Sequence, residues 1–453
     1  DLTSELKLII SPGVWFGTQD ARQQTYINTY TSSTATSAYA FGLNQEHYVN
    51  SIALQSSKNK DFTWELVGSN YYYGNNLQRW SKDFNSDGSM KTSGAGYIAD
   101  YHGTQWTNVD WRSNYRYSDS HMLSFGAHYD CNKLNSRVAD VTSGWSTVGA
   151  NGGTDNSVSR GVTETRALWI QDAWKLNDVF KLTTGLRAES WHATDGYLFA
   201  SGISVVPEHS NYNAVSPKLS FSWDMQNYWI TTMSYGHAAR FPTTSELYSV
   251  SSASTSVGTG TTSTPKMVPP TSSIKPERVD SLELSFENFG SLGDFRATFF
   301  AQDVKDALLS TLGNLDPTSP TIYYSYWQNV KKVRNFGVEF FGNKKNFMIH
   351  GLDINGSVTF VKSEILESNG QINAINKSIV GNPVPYVPPI RLTAMATYRP
   401  DSKMTYTVAA RYQKAGASSL ENNDTNPNTY QGFSSYFVVD AKASYKFDKN
   451  WRR

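Results

Sequence analysis

Apolar and polar residues alternate one for one along much of this chain. In FVVDAKASYKF (437–447), Phe437, Val439, Ala441, Ala443, Tyr445 and Phe447 share one side. Val438, Asp440, Lys442, Ser444 and Lys446 share the other. FKLTTGLRAE (180–189), HMLSFGAHYD (121–130) and SLELSF (281–286) repeat the pattern. A period of two is the spacing of a strand whose faces meet different surroundings, so the chain is predicted to be all-β.

The connections between these runs alternate in length. Short polar ones fall at 57–60, 118–120, 176–178, 225–227, 288–293, 344–346 and 400–403. Long ones, rich in Gly, Ser, Thr and Asn, fall at 74–103, 132–163, 192–213, 239–278, 362–389 and 414–435. A soluble sandwich has no reason to gather its long loops at one end, whereas an outer-membrane barrel has short turns on one side and long loops on the other. Strands of roughly 10–14 residues suit a tilted crossing of a hydrocarbon core. A closed barrel also satisfies every backbone group in lipid. The expected fold is therefore a large antiparallel transmembrane β-barrel in a bacterial outer membrane. Its apolar stripe faces lipid and its charged stripe faces the lumen.

About 17 strands can be drawn, with uncertain boundaries. An odd number leaves an open edge, and the plugged transporters have about 22 strands. The expectation is thus a fragment lacking strands at both ends. Composition fits a surface between two media. Of 453 residues, 39% are hydrophobic and 14% aromatic, with 27 Tyr and 13 Trp, residues with an apolar body and a polar tip. The net charge of +1 gives no support to nucleic-acid binding. A single cysteine, Cys131, excludes an intrachain disulfide or a cysteine zinc cluster. No run approaches ~18 apolar residues, so no transmembrane helix is expected. Asp1-Leu2-Thr3 does not begin a signal peptide, and the natural start is expected to have been removed.

VSPKLSFSWDMQNYWITTMSYGHAARFPTTSELY (215–248) resembles the central barrel signature of TonB-dependent outer-membrane receptors, with its Ser-Pro, Ser-Tyr-Gly, Arg, Pro and Glu-Leu-Tyr. WIQDAWKLNDVFKLTTGLRAE (169–189), IKPERVDSLELSFE (274–287), FFAQDVKDAL (299–308), YWQNVKKVRNFGVEF (326–340) and GNPVPYVPPIRLTAMATYRP (381–400) are similar to the hairpins around it, in the family's order. FTWELVGSNYYYGNN resembles an early strand of siderophore-type members. The resemblance implies a receptor that captures a scarce ligand, with TonB pulling on an N-terminal plug to admit it. The expected ligand is a ferric siderophore or similar iron chelate, the expected state a monomer. Alternatives are uptake of cobalamin or an oligosaccharide, a passive porin, and a secreted soluble all-β carbohydrate-binding protein. Residues 1–453 carry no plug motif, no energy-coupling segment and no final aromatic strand end, so they are expected to be the barrel domain alone.

Pro242 lacks an N–H and is expected to end strand pairing. Beyond it SSASTSVGTGTTSTP (251–265) is expected to be a loop tip. Arg240, Pro242, Glu246 and Tyr248 form an expected loop anchor, with Arg240 either paired to Glu246 or in contact with an anionic ligand. NYYYGNNLQRW offers Tyr71, Tyr73, Arg79 and Trp80 as ligand contacts, or as part of an aromatic girdle at the interface. Alternation sets Tyr72 on the other face. The eight histidines are scattered, and His121 and His128 fall on opposite faces of one strand. No HExxH, GxSxG or P-loop occurs. No enzyme activity, cofactor or metal site is expected.

Overall fold

A computed structural model describes residues 3, 5–21, 41–56, 61–82, 91, 93–200, 202–225, 228–250, 252–257, 260–265, 274–290, 293–314, 322–369, 378–420, 422 and 434–447. They form one antiparallel 20-stranded sheet. In chain order the strands are β1 (Leu6–Ala21), β2 (Phe41–Ser56), β3 (Phe62–Ser81), β4 (Gly96–Asp100), β5 (Gln105–Arg116), β6 (His121–Val141) and β7 (Thr154–Lys175). Next come β8 (Phe180–Ala200), β9 (Ile203–Val205), β10 (Ser210–Asp224), β11 (Trp229–Arg240), the short helix α1 (Thr244–Leu247), β12 (Ser252–Val257) and β13 (Gly260–Pro265). The wall ends with β14 (Glu277–Gly290), β15 (Gly293–Asn314), β16 (Ile322–Lys344), β17 (Leu352–Glu367), β18 (Ile390–Tyr398), β19 (Met404–Gln413) and β20 (Tyr436–Tyr445).

Among the described residues sixteen long strands follow one another as an up-and-down barrel wall, close to the 17 or so drawn from the sequence. The short β4, β9, β12 and β13 extend the wall on the long-loop side. Among the described residues β1 pairs with β2 and β20 with β19. No described helix is long and apolar enough to cross a membrane; strands make the crossing.

Register fixes the two faces. Met233, Leu284, Phe299, Val338, Phe360 and Ile390 sit side by side across β11 and β14–β18. Leu282, Met233, Phe299 and Phe360 are exposed, as side chains turned to lipid should be. Glu283, Ser285 and Glu287 alternate with them and point into the lumen.

Strand lengths depart from expectation. β6, β7, β8, β15 and β16 run for 21 to 23 residues. The connections drawn at 132–163 and 192–213 are mostly strand. Above the bilayer neither face meets lipid, so the lipid-facing stripe fades while the backbone ladder continues. The expected loop tip at 251–265 contains the β12–β13 hairpin, and Ala253 of β12 pairs with Tyr324 of β16.

Three hydrophobic clusters fix the upper wall. Trp191, Ala193, Leu198 and Tyr248 form one on the lumen side. Val330, Val333, Ile365, Ile379 and Leu420 form a second there, with segments near 379 and 420 folded inward. The third lies outside, where residues 142–153 bring Trp145 onto Leu77, Ile98 and Val141.

Candidate functional site

The chain leaves β11 at Arg240 and turns at once onto the inner wall. Pro242 is fully buried, and Phe241 stacks on Trp191 at 5.7 Å between nearly parallel rings. Thr243 caps α1 by accepting from the Glu246 N–H, while Glu246 accepts from the Thr243 N–H at 2.8 Å. This reciprocal pair satisfies two donors at the helix start. Arg240 Nη1 donates to both oxygens of Glu246, at 3.0 and 3.1 Å. Its Nε donates to Glu277 at 2.7 Å. Two carboxylates thus hold this guanidinium at the base of the loop.

Tyr248 closes the anchor. It is 3% exposed, and its hydroxyl donates to the Thr194 carbonyl at 3.3 Å. Burial, foremost, pushes its phenol up to about 12. The ring lies on Gly161 of β7 and Gly196 of β8. A Cβ at Gly161 would overlap the ring, and one at Gly196 would stand 2.7 Å from it. Gly161→Ala is therefore expected to lift Tyr248 off the wall while leaving the strands paired. Faster protease cleavage within 241–250, at unchanged barrel gel mobility, is the expected readout; an unchanged cleavage rate would show that the ring is not held there.

The second candidate surface is aromatic and lies on the lumen face of β1–β5. Tyr71 stacks on Trp106 at 4.3 Å and 4°. Tyr73 stacks on His47 at 4.0 Å and 2°. Trp15 stands 5.3 Å from His47. Asn76 Nδ2 donates to His47 Nε2 at 3.2 Å, which leaves the other ring nitrogen to donate to the Tyr71 hydroxyl oxygen at 2.8 Å. Rigid rings held in this way present an amphipathic surface without losing entropy on contact.

Alternation alone would put Arg79 beside Tyr71 and Tyr73, and Trp80 on the opposite side. A register shift at Glu46/His47 leaves Gly74 as an extra residue and exchanges the faces above it. Tyr72, on the lipid side, stacks with Tyr48 as the girdle reading requires. Arg79 turns outward and donates to the Val148 carbonyl at 2.9 Å, beneath the outer cluster. Trp80 turns inward and stacks on Tyr97, with the Lys82 ammonium 4.4 Å from that ring. Trp15, His47, Trp106 and Tyr97 were missed in the sequence because they reach the surface from other strands. Only cross-strand register could have revealed them. Among the described residues no three His, Cys, Asp or Glu side chains gather as a metal-holding group.

A family model described as TonB dependent receptor-like, beta-barrel, matches residues 9–452. No curated relative matches the chain. Among solved structures, the copper transporter OprC is similar at a TM-score of 0.68 and 14% identity, covering 99% of this chain and 62% of that one. The ferric yersiniabactin uptake receptor FyuA from Yersinia pestis gives 0.65 and 14%, covering 97% and 60%. The siderophore receptor PiuA from Acinetobacter baumannii gives 0.62 and 15%, covering 90% and 59%. At such identities the likeness is one of fold. The chain spans less than two thirds of the length of these proteins.

Proposed function

Because the chain belongs to the TonB-dependent receptor β-barrel family of the outer membrane, we propose that residues 1–453 are the barrel of an active uptake receptor for a ferric siderophore or similar iron chelate. The family is one of transporters rather than enzymes. In this reading outer loops and a plug capture the chelate, and TonB, energised from the inner membrane, pulls on the plug to open a path. The barrel contributes shape, lumen charge and an aromatic wall, and no bond is broken.

The stacked wall of Tyr71, Trp106, Tyr73 and His47 carries the ligand class. Flat rings suit a chelate whose metal is wrapped in aromatic or apolar groups, and such contacts give about 0.5–1.5 kcal/mol per aromatic pair beyond area burial. Of the similar structures one is named as a siderophore receptor, one as a ferric yersiniabactin uptake receptor and one as a copper transporter. The test is accumulation of radioactive iron from a panel of ferric chelates, and of copper, by cells with and without this protein. One ferric chelate is expected to enter only when the inner membrane is energised. The Tyr71→Ala/Trp106→Ala pair should reduce that uptake on the order of tenfold. Entry without energy would favour a porin, and copper entry alone would replace the iron reading.

A further inference from the structure

The lipid-side face of β11 and β14–β17 changes character in three steps toward the long-loop end. The last apolar row is Met233, Leu284, Phe299, Val338 and Phe360. The next is mixed: Tyr235, Leu282, Ala301, Phe336 and Lys362. Above it His237, Asp280, Asp303, Arg334 and Glu364 stand side by side. The top row adds Arg278, Lys305 and Lys332 on three neighbouring strands. Since adjacent strands lie about 4.8 Å apart, these three cations fall within about 10 Å.

The carboxylates in this field are shared and outnumbered. Asp303 accepts from Arg334 Nε at 2.6 Å and pairs with Lys332 at 3.0 Å. Asp280 accepts from Tyr235 at 3.0 Å, meets His237 at 2.8 Å and lies 3.6 Å from Lys305. Lys362 pairs with Glu364 at 2.7 Å. With Glu367 beside Lys332 in the top row and paired to Lys331 at 2.6 Å, six Lys and Arg side chains thus face four carboxylates. Lys305 and Lys362 remain 57% and 62% exposed, and Arg278 is exposed. Below them a recess of about 510 Å³ opens between Tyr235, Asp280, Asp303, Arg334 and Phe336, over the small Ala301.

These charges point neither into the lumen nor into a loop. They stand on the lipid side, two to six residues above the last apolar row, at the depth of headgroups. We propose that this shelf binds the phosphate of a membrane lipid in the outer leaflet, with Arg278, Lys305 and Lys362 as phosphate donors. The lipid's chains run down over Ala301, Leu282 and Phe336. Asp280 and Asp303 position the cations rather than neutralise them, and the ring of Phe336 lies under the Lys362 ammonium at 5.9 Å.

The test uses the complete protein in detergent, titrated with diphosphoryl lipid A, with the same lipid stripped of phosphate, and with inorganic phosphate. Bound lipid is counted by native mass spectrometry. The phosphorylated lipid is expected to bind at least tenfold more tightly than the stripped one. The triple variant Arg278→Gln/Lys305→Gln/Lys362→Gln should lose on the order of tenfold, with affinity for the stripped lipid unchanged. Gel mobility without heating checks folding; should the triple variant misfold, Lys305→Gln alone is read and should lose severalfold. Equal affinity of both lipids, or of variant and parent, would overturn the proposal. Competition by millimolar inorganic phosphate would overturn it too, in favour of a free-anion site. No arm depends on which chelate is transported.

Discussion

Leu284→Arg should keep the protein out of the membrane, while Ser285→Arg one residue away assembles normally. Leu284 lies mid-strand in β14 between Met233 and Phe299, within the row turned to lipid. A cation at the bilayer midplane of such a wall costs about 2–4 kcal/mol, a large share of a folding free energy of about 5–15 kcal/mol. Ser285 faces the lumen between Thr232 and Thr298, with Glu283 and Glu287 two residues to either side on the same face. An arginine there meets polar groups and carboxylates. The measurement is the folded barrel fraction in outer membranes, read from gel mobility before and after heating. Equal yields from the two variants would refute the assignment of faces.

Trp191→Ala should release the segment after β11 without dismantling the wall. Trp191 is 2% exposed and holds Phe241 on one side and Tyr212, at 5.8 Å, on another. Removing a buried tryptophan costs about 3–5 kcal/mol. β8 is tied along its length to β7 and β10 by backbone pairing. The loss therefore falls on the part with the weakest attachments, residues 241–250. Hydrogen exchange is expected to rise there by two to three orders of magnitude while strand amides stay protected. Unchanged protection in 241–250 would mean that the ion pairs of Arg240, not the aromatic stack, hold the segment.

The sequence reveals the wall where the wall touches lipid. The alternation of 437–447 reappears as β20, with Phe437, Val439 and Tyr445 on the lipid side. The short connections proposed at 118–120, 176–178, 344–346 and 400–403 fall at a turn or in the few residues around one, while 57–60, 226–227 and 291–292 lie outside the described residues. Legibility ends where lipid ends. The upper parts of β6 and β8 stand above the lipid, so no lipid-facing stripe marks them as strand. The helix at 244–247 was overlooked although Thr243 and Glu246 carry a capping signature. The sequence leaves Arg240 either to Glu246 or to an anionic ligand, and the fold places Arg240 Nη1 3.0 Å from Glu246. The third partner, Glu277, lies 37 residues away and needed the β11–β14 register. Arg79 and Trp80 fell on unexpected faces because one bulged glycine reverses a parity that no local pattern records. The aromatic wall was half legible, since Tyr71 and Tyr73 are neighbours in sequence and Trp15, His47 and Trp106 are not.

The seating of Tyr248 on two glycines also gives the connection between β11 and β14 a fixed root, ahead of the β12–β13 hairpin. Loop length in general carries a small cost, each doubling adding only about 0.6 kcal/mol. Insertions beyond Tyr248 are therefore cheap, while an insertion between Arg240 and Tyr248 would break the cap, the ion pairs and the ring contact together. Such a root keeps changes in the distal sequence from being transmitted to the wall.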